Sequence, residues 1–314
     1  MKIVIFDPYK GKFTTEMQKW WESNGHEVKR DTYYDPKLIP WGDIIYFETC
    51  DNNLKMAMYP DKNDPEFEGW DMHDMDLTGK RIVVRPIDIE VWQGHQHNVD
   101  WNLVNDVIFI APHIQEVANR FEGLRDSAAR QHVIPCAVDL DKYTFKKREA
   151  GKKVGIVAEV WESKGVDLIL QIALQLKDRG YEFHWVGKHQ DYEWDKAYTY
   201  DFIKRNNLPI TFYDWVDSID EFLEDKNYLL HASKKEAFSY ATAEAMAKGI
   251  KPVVHHFYGA DDLWPGMTWD SIDEAVEMLT NDVYDSESYR QYLIDKGYVI
   301  DAMMNRISKE VFDE

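Results

Sequence analysis

In the stretch KKEAFSYATAEAMAKGIKPVV two carboxylates, Glu236 and Glu244, stand with seven residues between them around the start of an alanine-rich run. Every second residue from Ala241 to Ala247 is alanine, Phe238 and Met246 are apolar anchors, and Gly249 sits where a left-handed residue ends a helix. The apolar IKPVV that follows and the NYLLHAS segment before it, Asn227 to Ser233, read as buried strands. Glu236 then falls in the loop of a strand, loop, helix, strand unit, with Glu244 about two turns along the helix. That loop lies at the carboxyl end of a parallel strand, where open α/β sheets hold ligands. Lys164, just before Gly165, is a fixed ammonium where another helix should begin.

These residues need a scaffold, and strand–helix alternation supplies one. KIVIF from Lys2 is followed by a helix from about Thr15, with Met17, Trp20 and Trp21 on one face and Gly25 as its stop. DIIYFET, KRIVVR, DVIFIA and HVIP, beginning at Asp43, Lys80, Asp106 and His132, continue the first set of strands. The second set runs from KKVGIVAEV at Lys152 through a helix over 166–177, then FHWVG, PITFYDWV and the unit carrying the two glutamates. This is the pattern of doubly wound parallel sheets. The polar, basic run Asp141 to Lys153 suggests a boundary, giving an N-terminal domain over 1–145, a C-terminal domain over 146–298, and a last helix over 299–314 packing back toward the first domain.

Composition narrows the function. A chain of 314 residues, 44% of them hydrophobic, suffices for two cores. No early stretch joins a basic region to an apolar one and no apolar run approaches a membrane span, so the expected location is the cytoplasm. A net charge of −20 argues against a broad nucleic-acid or anionic-membrane surface, and leaves KKREAGKK as a local basic run, read as a solvated hinge in preference to a cleft lining. Cys50 and Cys136 are far apart without CxxC partners, which reads as two small buried hydrophobes. The acidic segment 59–76 reads as a solvated excursion. Its Asp71, His73, Asp74 and Asp76 are the alternative, a metal site, but no metal is expected to be required.

The second half resembles the nucleotide-binding domain of GT-B glycosyltransferases of the glycogen-synthase-like type, family 4. The resemblance rests on the Glu236 and Glu244 pair followed by AMAKGIKPVV, similar to the family's EAMACGxPVV. VAEVWESKGVDLIL is similar to its VGRLxxxKGxDxLI, and VIPCAVDLDKY to its VIPNGVDxxxF. VGKHQDY and FYDWVDSIDEFL lie between these in the family's order, so that most of residues 130–260 is covered. The resemblance implies two Rossmann-like domains and a retaining transfer of sugar from a UDP- or GDP-sugar to a hydroxyl. In such a transfer the acceptor attacks from the leaving-group side and gives its proton to the departing phosphate, so no protein nucleophile is needed.

By the same resemblance Lys164 stands against the donor diphosphate, where a fixed ammonium stabilises charge as the sugar–phosphate bond breaks. Glu244 would accept the ribose hydroxyl hydrogens, and Glu236 would face the donor sugar. Backbone N–H groups of Phe238, Ser239 and Tyr240 would meet phosphate at the positive end of the helix. The plain alternative for both glutamates is a solvated helix face, and for Lys164 a surface lysine. The family's arginine is here Glu159, so a second cation would come from Lys12, Arg85 or Lys188. In the first domain Gly11 matches the family's glycine loop facing the donor phosphate, or is a turn residue. Ile87 takes the place of a histidine that relatives carry near the reacting centre, which leaves Asp88, beside Glu90, as the polar group near the acceptor or as a loop cap. His95, His97, Trp92 and Trp101 are further acceptor-side candidates, with exposure or core packing as the alternatives. A glycan or small-molecule acceptor is preferred. Hydroxymethylated DNA bases, which some viral GT-B enzymes modify, and a noncatalytic nucleotide-sugar binder are the alternatives.

Overall fold

The computed structural model describes residues 1–58, 77–189 and 193–312. The chain divides into two packing units, Met1–Pro135 with Ile300–Glu314, and Cys136–Val299. The basic run 141–153 therefore lies wholly inside the second unit, while the last helices belong with the first.

In the first unit the apolar runs form parallel strands in the order β2-β1-β3-β4-β5-β6. These are β1 Lys2–Phe6, β2 Glu27–Asp31, β3 Ile44–Glu48, β4 Arg81–Arg85, β5 Asp106–Phe109 and β6 Arg130–Val133. β3 is buried along its whole length, as a central strand covered on both faces must be. β2 reads EVKRD and is an edge strand with mostly exposed side chains. Helix Thr15–Ser23 buries Met17 and Trp21, and Trp21 stacks on Phe312 at 5.6 Å, docking the C-terminal segment onto this unit.

The second sheet is also six-stranded and parallel, in the order β12-β11-β10-β7-β8-β9. Its strands are β7 Lys153–Val157, β8 Glu182–Val186, β9 Ile210–Tyr213, β10 Tyr228–His231, β11 Lys251–His255 and β12 Thr268–Trp269. Helix Val166–Leu176 buries Val166, Ile169, Leu170, Ala173 and Leu176, the i, i+3, i+4, i+7 stripe of a helix lying on a sheet. Those side chains join Ile156, Phe183, Trp185 and Leu230 in the core, each contributing about 1.5–3 kcal/mol through burial. Two doubly wound parallel sheets are the architecture that the strand–helix alternation predicted. Among the described residues no helix is long and apolar enough to cross a membrane.

Candidate functional site

The order of the second sheet places its switch point between β7 and β10, its two central strands: from β7 the chain winds outward through β8 and β9, and from β10 through β11 and β12. Loops diverging from such a point leave a crevice at the carboxyl ends of the strands. Here the crevice lies between 158–165 and 232–239. The loops are stitched together where the Lys234 N–H donates to the Ser163 carbonyl at 2.9 Å. Gly165 permits the approach. Its φ is +71°, and a Cβ at this position would lie 2.1 Å from the Ala232 carbonyl oxygen.

That close approach brings two predicted residues into contact. Lys164 Nζ lies 2.5 Å from Glu236 Oε1, and both side chains are largely buried. The same carboxylate oxygen is 3.5 Å from His231 Nε2 at the end of β10. Burial pushes the Glu236 carboxyl up, but the imidazole and the ammonium beside it outweigh burial and hold its pKa at about 2. Glu236 is therefore an anion at any ordinary pH. A recess is lined by Lys164, His231, Ser233 and Ala241. A second cleft, between Trp161, His189 and Tyr198, contains neither member of the pair. Fixed charge makes the first recess the candidate site.

The loop after β10 feeds helix Tyr240–Ala247 through Ser239, whose φ of 67° is sparsely populated for a residue other than glycine. Such strain costs about 1–3 kcal/mol and persists only where the surroundings impose it. Ser239 Oγ meets Thr242 Oγ1 at 2.8 Å. Phe238 is clamped among Tyr240, Trp264 and Tyr298, ring centroids 5.2–5.5 Å away, and its carbonyl accepts the Trp264 indole N–H. Residues 238–240 thus form a rigid helix entry whose first-turn N–H groups have no partner within the helix. Because the helix begins only at Tyr240, Glu244 stands just over one turn along it, not two. It is half-buried beside Tyr143, whose hydroxyl pKa is raised by burial first and then by the Glu244 carboxylate.

Gly11 and Asp88 lie in the first unit, on the loops after β1 and β4. Gly11 has φ +91° and its N–H donates to Asp7 Oδ2 at 2.9 Å. Asp7 also accepts the Tyr9 N–H and the Thr14 hydroxyl, so this buried aspartate shapes the glycine loop. The signal for Asp7 was present in the sequence, an aspartate directly after an apolar strand with a glycine four residues on. Asp88 precedes helix Ile89–Trp92 without capping it through its side chain. Glu90 holds that turn instead: buried, it accepts the N–H groups of Ile87 at 2.5 Å and Asp88 at 3.2 Å.

Of the candidate cations, Arg85 is fully buried and paired with Glu48 at 3.1 Å, so it is committed within the first unit. Lys12 is exposed over the Phe13 ring, and Lys188 is exposed with its ammonium 5.9 Å from the Trp215 ring centroid. Glu159 is exposed. Burial raises the Glu48 carboxyl to about 7 against the opposing pull of Arg85. It likewise raises the Tyr9 hydroxyl to about 12, with Glu90, Asp51, Glu48 and Asp88 adding to the effect. The carboxyl end of the first sheet is accordingly acidic. Trp101 is core, its indole N–H donating to the Gln96 carbonyl, and His97 stacks on Phe121 at 4.3 Å.

The basic run is electrostatically occupied. Lys146 pairs with Glu224, Lys147 with Glu287 and Lys153 with Asp225, while Lys152 donates to the Arg179 carbonyl. Arg148 is buried against the carbonyls of Lys248, Glu224 and Lys226. Arg148 anchors the run, while Lys146, Lys147 and Lys152 stay exposed. Among the described residues no group of acids, histidines and cysteines is arranged to hold a metal ion, and the Asp71, His73, Asp74 and Asp76 candidate lies outside the described residues. Both cysteines are buried.

Residues 151–273 match the family of glycosyl transferases group 1. No curated protein matches the chain in sequence. Among solved structures the chain is similar to HepE of Anabaena, crystallised in complex with UDP, at 16% identity, with 99% of each chain covered and a TM-score of 0.72. It is similar to the sucrose-phosphate synthase of Thermosynechococcus elongatus at 13% identity, covering 99% of this chain and 98% of that one, with a TM-score of 0.67. TarM is similar at 17% identity and a TM-score of 0.67 over 88% of this chain, which spans 56% of TarM.

Proposed function

We propose that this chain, whose residues 151–273 match glycosyl transferases group 1, is a GT-B glycosyltransferase that moves a sugar from a nucleoside diphosphate sugar to an acceptor hydroxyl with retention of configuration. The observation that carries the proposal is the Lys164–Glu236 pair, held in contact across the switch point of the group 1 domain. In this reading Lys164 leaves Glu236 to meet the diphosphate, where its charge opposes the negative charge that grows as the sugar departs. Glu236 then accepts hydrogen bonds from the donor sugar. The rigid 238–240 entry offers backbone N–H groups to the phosphates, and Glu244 takes the ribose hydroxyls. The acceptor oxygen bonds to the anomeric carbon from the face the phosphate leaves, and its proton passes to the departing phosphate oxygen. This chemistry requires no metal and no protein nucleophile.

Gly11 and Asp88 belong to the acceptor-side unit in this proposal, Gly11 toward the donor phosphate and Asp88 near the acceptor hydroxyl. A glycan or small molecule is the preferred acceptor and the cytoplasm the preferred location. UDP, bound in HepE, makes uridine the first base to test, with guanosine the second.

The test is a panel of UDP- and GDP-sugars against glycan and small-molecule acceptors, read by mass spectrometry, with donor affinity from calorimetry. Transfer with the anomeric configuration retained is expected. Donor binding without turnover on any acceptor would leave a nucleotide-sugar binder instead. Glu244→Ala should weaken donor binding by about 1–3 kcal/mol, the loss of hydrogen bonds from hydroxyls to a partly desolvated carboxylate. An unchanged affinity would remove Glu244 from the ribose.

A further inference from the structure

The cleft that holds neither Lys164 nor Glu236 has a chemistry of its own. It opens between the turn after β7, the loop after β8 and helix Glu193–Asn206, and its lining includes Trp161, Glu162, Asp167, His189, Lys196 and Tyr198. Trp161 is 41% and Tyr198 52% exposed, so two large aromatic side chains of one cleft remain open to water. Trp194, 71% exposed, lies one turn before Tyr198 on the same side of the helix and extends the aromatic surface by about 6 Å. Exposed apolar side chains scattered singly need no explanation, whereas three gathered at one cleft mark a surface kept for a ligand.

The fold holds these groups in place. Val160 bridges to the strand end at His189, its N–H donating to the Lys188 carbonyl at 3.0 Å, and the Trp161 carbonyl accepts the Lys164 N–H at 2.9 Å. The turn that carries Trp161 and Glu162 is thereby pinned on both sides. Tyr198 packs against Phe202, ring centroids 6.0 Å apart. His189 stacks on Tyr200 at 5.1 Å with its Nε2 3.0 Å from the Tyr200 hydroxyl, and burial lowers its pKa, which keeps the ring uncharged near neutrality. The Lys196 ammonium lies 3.4 Å from Glu193. Glu162 and Asp167 are exposed, and among the described residues neither pairs with a cation. The polar rim is therefore weighted toward negative charge and hydrogen-bond acceptors.

These properties select the occupant. A phosphate-bearing ligand would be repelled by the two carboxylates. An apolar protein face laid over the rings would desolvate the same carboxylates without supplying donors to them. A pyranose ring does neither: its C–H face lies flat on an aromatic ring, and its hydroxyls donate to the acceptors at the rim. We infer that the cleft bounded by Trp161 and Tyr198 is a carbohydrate-binding site for a neutral oligosaccharide, separate from the Lys164–Glu236 site. Sugar faces rest on Trp161, Tyr198 and Trp194, and sugar hydroxyls donate to Glu162 and Asp167. The inference goes beyond sugar transfer, since it asks for saccharide binding in the absence of any nucleotide donor. Such a site holds a glycan beside the turn that carries Lys164 and so raises its local concentration there.

The experiment is calorimetry of the full chain, without nucleotide, with maltopentaose, cellopentaose and chitopentaose as probes. Saturable binding of at least one is expected, with affinity lowered about tenfold by Trp161→Ala and by Tyr198→Ala, each the loss of one stacked ring. Tyr198→Phe keeps the ring and should bind as the wild type does. Glu162→Ala combined with Asp167→Ala removes two hydroxyl acceptors and should also weaken binding about tenfold. Binding of none of the three probes, or binding that Trp161→Ala and Tyr198→Ala leave unchanged, would overturn the inference. So would sedimentation showing a dimer that Trp161→Ala dissociates while no saccharide binds, which would give the surface to a second copy of this chain. UDP-glucose titrated separately keeps the transfer reading distinct: donor binding without saccharide binding removes this site alone, and saccharide binding sensitive to Trp161→Ala supports it even where the donor does not bind.

Discussion

Gly165→Ala isolates the close approach that creates the Lys164–Glu236 pair. Two costs follow from the structure. Alanine at φ +71° enters the left-handed region, at about 1–2 kcal/mol. Its Cβ would also lie 2.1 Å from the Ala232 carbonyl oxygen, whereas ordinary contact begins at 3.4 Å, so the turn after β7 must retreat by about 1 Å. Backbone shifts of this kind add about 1–3 kcal/mol, for a total near 2–5 kcal/mol. Lys164 is the residue before Gly165 and moves with it. A displacement of about 1 Å in a catalytic group costs on the order of 10²-fold in rate. Gly266→Ala is the internal control in the same unit: its φ is +75°, but nothing lies within 4 Å of the added Cβ. It should lose only about 1–2 kcal/mol and leave donor affinity and kcat/KM unchanged. Urea unfolding midpoints and steady-state kinetics on the two variants read both quantities. Equal and mild effects of the two substitutions would show that the approach to Ala232 does not set the geometry of the pair.

Lys164→Ala should lower kcat by about 10²-fold while raising KM much less, because the ammonium acts mainly on the charge of the leaving group; a rise in KM with kcat unchanged would assign it to ground-state binding alone. Glu48 tests the acidic end of the first sheet. Its folded pKa of about 7 lies above that of a free carboxyl, so the folded state holds a proton that the unfolded chain releases, and stability from this group is lost as pH rises from about 4.5 to 7. The stability difference between wild type and Glu48→Gln should therefore shift against the wild type by about 2.5 kcal/mol between pH 5 and 8, and a constant difference would show that Glu48 titrates normally. For the basic run, Lys146, Lys147, Lys152 and Lys153 are each already engaged. Replacing all four by Gln should leave binding to unmodified and hydroxymethylated duplexes undetectable, as in the wild type. A log K against log salt slope of several units that collapses on replacement, at about 0.9 per phosphate, would restore DNA as the acceptor.

The candidate positions could be placed from the sequence because their signals are local. Glu236 and Glu244 around an alanine helix, and Lys164 before Gly165, need only helical periodicity and a left-handed turn residue to be placed. Apolar pentads such as KIVIF marked the central strands, whose two buried faces demand continuous hydrophobicity. EVKRD gave no such mark, since β2 is an edge strand whose exposed side chains can be charged without cost. The tertiary structure alone decided what each charge meets. Lys164 touches Glu236 across 72 residues because β7 and β10 are neighbours, and that adjacency depends on strand order, to which local patterns are blind. Arg85, a candidate phosphate cation by its type, is spent on Glu48 because β3 and β4 pair in the register that sets those two residues opposite each other. In the polar, basic run 141–153 Lys146, Lys147 and Lys152 are exposed, while Arg148 is buried against carbonyls of distant segments, an anchor that local composition does not show. His231 looked like one more residue of a buried strand; its place beside Glu236 exists only once the chain has turned back on itself. Sequence determines which groups are available, by type and local spacing; folding decides which of them are neutralised and which remain for a ligand, because electrostatic pairing acts over ångströms in space and not over positions along the chain.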